Sequence, residues 1–379
     1  MMRCGIRASG VLRVGVAAAV AGMGVVSAGA APALPSNFAP VLVNGSATAF
    51  STAAGQGAAF NVLYDGGIYH LWYRADASTL TVSELRHATS TDGINFTTVG
   101  GAFSFATNPF PTGSAPALYY EAVSKVGTDF KLVHWTYTGG AGTYPNYDYN
   151  NSVSNAGASA ANTVLTHQGP IGGGTIGQTA GAFGLLGGAW YGQCGNTGQE
   201  MCRATYADGS PPSITTPLYP SVLNASSLFT SLGIPTGYIN NHGDIATGSS
   251  GLDAVFTVRD GTGSRFNKQV YYANSTDNGA TWSTITPLIA GTPTLLGVPF
   301  ATGVNFAHPE LVLGAANLYK LYVSTQDAQG NFIIAVAGNQ AAAAPTSVPT
   351  LGAGPLAALA GMMMAAGLWL RRRSARQRG

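Results

Sequence analysis

Residues 60–73 read Phe60-Asn61-Val62-Leu63-Tyr64-Asp65-Gly66-Gly67-Ile68-Tyr69-His70-Leu71-Trp72-Tyr73. Two runs rich in β-branched and aromatic residues flank Asp-Gly-Gly, and glycine takes the positive φ that a tight hairpin turn requires. The stretch predicts strand, turn and strand.

Four further stretches repeat it. Tyr119 to Val123, a turn over Lys125 to Asp129, and Phe130 to Thr136 form the second copy. Thr179 to Leu186, Gly187-Gly188 and Ala189 to Gln193 form the third. Asp244 to Thr247, Gly-Ser-Ser-Gly and Leu252 to Arg259 form the fourth. Glu310 to Leu313, Gly314 to Asn317 and Leu318 to Thr325 form the fifth. No helical apolar period of useful length lies between Pro35 and Gln340. Five hairpins roughly sixty residues apart predict an all-β chain with radial repetition, a five-bladed β-propeller.

Ser275-Thr276-Asp277-Asn278-Gly279-Ala280-Thr281-Trp282 continues the fourth copy, and the shorter Ser90-Thr91-Asp92-Gly93-Ile94-Asn95-Phe96 continues the first. In each, Asp is placed to accept backbone N–H groups across a turn, Gly supplies φ > 0, and an aromatic follows to pack between strands. The first stretch resembles the Asp box, S-x-D-x-G-x-T-W, of sialidase-like propellers, and the second resembles its shortened form. In that family the boxes are peripheral and structural. Ser275, Asp277, Gly279 and Trp282, with Ser90, Asp92, Gly93 and Phe96, are therefore expected to build turns rather than catalyse. Together with Leu63 to Tyr73 and Ala88 to Gly93, they make the middle of the chain resemble the five-bladed superfamily of arabinanases, xylosidases and invertases. That resemblance implies a glycan or polysaccharide ligand.

Aligning the hairpins on Tyr69, Phe130, Trp190, Asp253 and Tyr319 and counting nine residues back gives Phe60, Glu121, Gly181, Asp244 and Glu310. Glu121, Asp244 and Glu310 are then expected at similar places on three inner strands, converging on the axis. Glycoside hydrolysis uses two carboxyl groups flanking the scissile bond, and a crowded third keeps one of them protonated. His242 and His308, each two residues before a carboxylate, are candidates to bind sugar hydroxyls or orient an acid. Tyr119, Tyr120, Tyr238 and Trp135 offer faces for a pyranose ring. The family pattern has Asp, Asp and Glu early in the first three blades, where this chain has Phe60-Asn61, Glu121 and Gly181. Two readings stand: a glycoside hydrolase using Glu121, Asp244 and Glu310, and a non-catalytic surface module binding polysaccharide or a partner protein at the same mouth.

Other chemistries lack their residues. Sialidase action needs three arginines on the substrate carboxylate. Only Arg74, Arg86, Arg203, Arg259 and Arg265 stand in the middle, with no Arg-Ile-Pro before the first hairpin. There is no Gly-x-Ser-x-Gly, no His-Glu-x-x-His and no phosphate loop, so neither metal nor cofactor is expected.

The ends carry targeting signals. Arg3, Arg7 and Arg13, the apolar run Val14 to Val26, and Ala28-Gly29-Ala30 predict a signal peptide over residues 1–30, removed by signal peptidase. Leu351 to Leu370 is uncharged and long enough to span a bilayer, and Arg371, Arg372, Arg373, Arg376 and Arg378 follow it. With Val348-Pro349-Thr350-Leu351 before it, this end resembles the IPTL-CTERM sorting signal of Gram-negative bacteria. It departs from the pattern in its first Val and in Gly-Ala-Gly-Pro after the motif. The resemblance implies an exosortase-like processing enzyme and a location in the cell envelope. The expected domains are the propeller over 31–340, a linker over 341–347 and the sorting segment over 348–379, with its helix over 351–370 and Arg-rich tail over 371–379.

Eight of the 17 Lys and Arg lie in these ends, leaving nine against 15 acids, a formal −6 that gives no argument for nucleic acid. Cys194 and Cys202 remain after removal of the signal and predict a local disulfide in an exported protein.

Overall fold

The computed structural model describes residues 31–32, 34–47, 60–75, 85–106, 119–137, 149–170, 182–194, 199–205, 221–234, 236–260, 269–300 and 306–341. The expected signal peptide over 1–30 and sorting segment over 348–379 lie outside them. Strands β1 (Asn37–Pro40) and β2 (Leu42–Val43) come first. Blade one is β3 (Phe60–Asp65), β4 (Ile68–Arg74), β5 (Leu85–Ser90) and β6 (Asn95–Val99). After β7 (Ser104–Phe105), blade two is β8 (Tyr119–Val126), β9 (Asp129–Tyr137), β10 (Tyr149–Gly157) and β11 (Val164–Pro170). Blade three is β12 (Ala182–Leu186), β13 (Ala189–Cys194), β14 (Glu200–Thr205) and β15 (Ser221–Asn224), followed by the short helix α1 (Ser226–Ser231). Blade four is β16 (Tyr238–Thr247), β17 (Leu252–Arg259), β18 (Tyr271–Ser275) and β19 (Thr286–Pro287). The hairpin β20 (Thr294–Leu295) and β21 (Val298–Pro299) precedes β22 (Ala307–Leu313), β23 (Leu318–Gln326) and β24 (Phe332–Ala341) of blade five.

The chain is thus an all-β five-bladed propeller, each expected hairpin supplying the two inner strands of one blade. The innermost strands β3, β8, β12, β16 and β22 contact one another in a closed ring. The N-terminal strand closes it: β1 pairs antiparallel with β24 as the fourth strand of blade five. Segments between blades cover the outer edges. β2 joins β6, β7 joins β11 and β20 joins β1, each in parallel, which satisfies edges that would otherwise invite another chain.

The apolar core lies between blades, not within one layer. Trp72, Val123 and Phe130 pack between blades one and two, and Val133, Leu185 and Trp190 between two and three. Phe183, Tyr191 and Phe256 fill the next gap, then Tyr272, Leu311 and Leu321, and Phe60, Val312 and Tyr322 complete the circle. Strands buried on both faces explain why the inner hairpins read as apolar runs with little polar alternation.

Candidate functional site

The inner strands share an irregularity. Pairing with the second strand shifts register between Tyr119 and Ala122, Ala182 and Gly184, Ile239 and Gly243, and Ala307 and Glu310. Four bulges lie at the same end of four inner strands, around one mouth of the ring; bulges of this kind re-aim side chains beside functional sites. His308 stands in the last of them with φ 46°. A side chain held in that left-handed region costs about 1–2 kcal/mol, and such positions concentrate at functional sites. Its ring lies 6.3 Å from that of Phe60.

Asp244 and Glu310 sit below this mouth on adjacent inner strands, 7% and 4% exposed. The Leu311 N–H donates to Asp244 Oδ2 at 3.0 Å. Asn61 Nδ2 on β3 donates to Glu310 Oε2 at 2.8 Å. The side chains therefore knit three inner strands into one polar cluster. Burial, with a smaller push from the charge of Asp253, raises Asp244 to about 7. Burial, then the neighbouring Asp244 charge, raises Glu310 well above the ordinary carboxylate range. Two carboxyl groups forced together in a low-dielectric ring hold a proton near neutral pH. On its other side Asp244 lines a cavity of about 320 Å³ at the turn end of the ring, opposite the bulges, to which all five inner strands contribute, among them Val62, Ser124, Leu185 and Leu311.

The structure places the sequence-selected residues unequally. Asp244 and Glu310 come together, each three residues from the turn end of its strand. Glu121 is five residues from its turn end, level with Phe60. The expected common register is therefore corrected by two residues. The hairpins of blades one and two turn through two residues, 66–67 and 127–128, whereas that of blade four turns through Gly248 to Gly251. Blade five turns through Gly314 to Leu318. Counting a fixed nine residues through a longer turn stops nearer to it. The Glu121, Tyr119, Tyr120, Trp135, Tyr238, His242 and Cys194 side chains lie outside the described residues. Cys202 is disulfide-bonded.

Three residues that tie the blades together were not singled out as site candidates from the sequence. Asn61 is the donor to Glu310, and Ser124 Oγ accepts the Leu185 N–H at 2.8 Å across the gap between blades two and three. Asp253, only 2% exposed, accepts the hydroxyls of Tyr272 at 2.7 Å and Tyr319 at 2.6 Å, tying blade four to blade five. A lone carboxylate in the apolar run Leu252 to Val258 is the one signal that pointed to it.

At the periphery, Asp92 Oδ1 accepts the Ile94 and Asn95 N–H groups at 2.7 and 2.8 Å. Against the upward push of burial, hydrogen bonds from Asn95, Ile94 and Ser90 hold its pKa far below the usual range. Asp277 accepts the Thr281 hydroxyl at 2.6 Å and its N–H at 2.8 Å, and these bonds lower it to about 2. Gly93 and Gly279 have φ of 71° and 80°. Each turn docks on the preceding blade: the Tyr322 hydroxyl donates to Gly93 O at 2.8 Å, and that of Tyr191 to Asn278 O at 3.2 Å. These carboxylates are engaged in their own turns.

Among the described residues no group of three or more His, Cys, Asp or Glu is placed to hold a metal ion, and no helix is long and apolar enough to cross a membrane.

No family model matches the chain, and no curated protein matches its sequence. One solved structure, a glycoside hydrolase, is similar over 83% of this chain and 92% of its own, with a TM-score of 0.51 and 9% identity. A glycosyl hydrolase from Bacteroides ovatus is similar over 75% of this chain and 84% of its own, with a TM-score of 0.48 and 12% identity. The GH43 BlXynB protein from Bacillus licheniformis is similar over 76% of this chain and 53% of its own, with a TM-score of 0.49 and 11% identity. At such identities the likeness is one of fold.

Proposed function

We propose that this chain is an exported propeller that acts on glycans at the cell envelope, with Asp244 and Glu310 as the acid–base pair of a glycoside hydrolase. The observation that carries this reading is the pair itself: two buried carboxyl groups on neighbouring inner strands, below a bulged mouth, both with proton affinity raised by burial. Glycoside hydrolysis needs that division of labour. Glu310, whose proton is held both by burial and by the neighbouring Asp244 charge, gives it to the leaving glycosidic oxygen. Asp244, in its ionised form, takes a proton from the water whose oxygen bonds to the anomeric carbon. Asn61 orients Glu310, and His308 stands in the bulge at the mouth, where sugar hydroxyls would be met. The resemblance of the blade motifs to sugar-active propellers and the fold of a solved glycoside hydrolase support the ligand class. The signal peptide and the sorting segment support export and anchoring, with signal peptidase and an exosortase-like enzyme as processing partners.

A second reading is favoured by one observation. Asp244 accepts a backbone N–H from the next inner strand, and Glu310 is engaged by Asn61, which is what ring closure alone would ask of them. The chain is then a non-catalytic module that binds polysaccharide or a partner protein at the same mouth. A screen of the full chain against plant, host and bacterial glycans, read by reducing-end release and by binding, separates the two. Release supports the hydrolase; binding without release leaves the second reading; neither removes glycans from the account.

A further inference from the structure

The outer edge of blade five carries no charge. β24, β1, β20 and β21 hold no Asp, Glu, Lys or Arg, and none occurs from Val14 to Tyr64, from Asn278 to Pro309 or from Ala328 to Leu370. Among the described sheets this one alone has six strands, because β20 and β21 extend it past β1. Leu296 and Gly297 form the hairpin tip with φ of 52° and 84°, both positive as a type I′ turn requires. Asn-Gly is the favoured pair there, yet this chain places a leucine. Leu296 is 68% exposed and Val298 beside it 64% exposed, the two most exposed large apolar side chains described. Pro299 denies the edge an N–H donor, so β21 offers side chains rather than a template for strand addition.

We propose that the β20–β21 hairpin is a membrane-contact element that lays the outer edge of blade five on the bilayer. The inference rests on the reading of Leu351 to Leu370 as a membrane anchor. Nine residues, 342–350, separate Ala341 from Leu351, a reach of about 30 Å when extended. The Leu296 N–H donates to Phe38 O, Leu295 pairs with Phe38, and the adjoining Ala39 pairs with Val336. The tip therefore lies five residues along β24 and two strand spacings across from Ala341, about 20 Å in all. The tether allows the tip to touch the bilayer that the anchor enters. No charged side chain on these strands has to shed water on the way. Two apolar side chains make a weak contact, suited to orienting a body that is already anchored.

The full chain in vesicles of phosphatidylethanolamine and phosphatidylglycerol with brominated acyl chains tests this. Trp369, inside the expected anchor, reports insertion by its own quenching. Leu296→Trp is expected to add a blue-shifted signal quenched at least twofold more than that added by Ser159→Trp, in an exposed turn of blade two. Val298→Trp gives the same readout should the first variant misfold. Quenching of Trp369 without extra quenching in either hairpin variant overturns the contact and leaves the anchor. Absence of Trp369 quenching overturns the anchor and the contact with it.

Discussion

Replacing Asp244 with asparagine keeps the shape of the side chain and an oxygen for the Leu311 N–H, but removes the proton that burial makes hard to lose. Folding raises this carboxyl from an ordinary 3.8 to about 7. Each tenfold change in proton affinity is worth 1.36 kcal/mol, so the full cost of burying the ionised form is about 4 kcal/mol. The folded state binds the proton more tightly than the unfolded chain. Stability from this group is therefore complete below about pH 4 and is lost as the pH rises to about 7. Between pH 5 and pH 9 the parent should lose about 2.7 kcal/mol from Asp244 alone. In a domain of this size that is a fall in Tm of about 5 °C. Asp244→Asn cannot lose it, so its Tm should be flatter over the same interval by about that amount, and higher than the parent's at pH 9. Thermal unfolding of both proteins at pH 5, 7 and 9 decides the matter. Equal slopes would refute the claim that burial in the folded ring raises the proton affinity of Asp244.

Other consequences follow from single contacts. Asp253→Ala leaves the buried hydroxyls of Tyr272 and Tyr319 without their acceptor and should cost about 2–5 kcal/mol in urea unfolding, with Asp253→Asn clearly milder; equal stability of parent and alanine variant would contradict the bridge between blades four and five. Tyr322→Phe should cost about 1–2 kcal/mol, and more than Tyr191→Phe, because its bond to Gly93 O is shorter and more deeply buried; the reverse order would be inconsistent with docking of the Asp92 turn on blade five. Leu296→Asn relieves a leucine held at φ 52° and should stabilise the protein by about 0.5–1 kcal/mol, with a loss of stability counting against the type I′ geometry.

The repeated hairpins were legible because apolar runs around Gly-rich turns obey local rules: Gly66 and Gly67 are positive-φ residues wherever the chain goes. Ring closure was not legible. Asn37 to Pro40 is four residues ending in proline, and only the distant β20 and β24 make it a strand. The same distance hid Asn61, whose partner Glu310 is 249 residues away. Asp244 and Glu310 were selected by a count that also placed Glu121 beside them. The count held across two-residue turns and slipped by two across the longer turns of blades four and five. Turn length varies at little energetic cost, so a fixed interval measures register only while the turn is constant.

Turnover of a cleaved glycan by the parent, Asp244→Asn and Glu310→Gln, with Tm recorded for all three, tests the acid–base pair most directly. At least a hundredfold fall in kcat is expected in both variants while both stay folded. A folded variant that keeps the parent's turnover, or a parent that cleaves no glycan, would contradict the assignment of Asp244 and Glu310 as the acid–base pair.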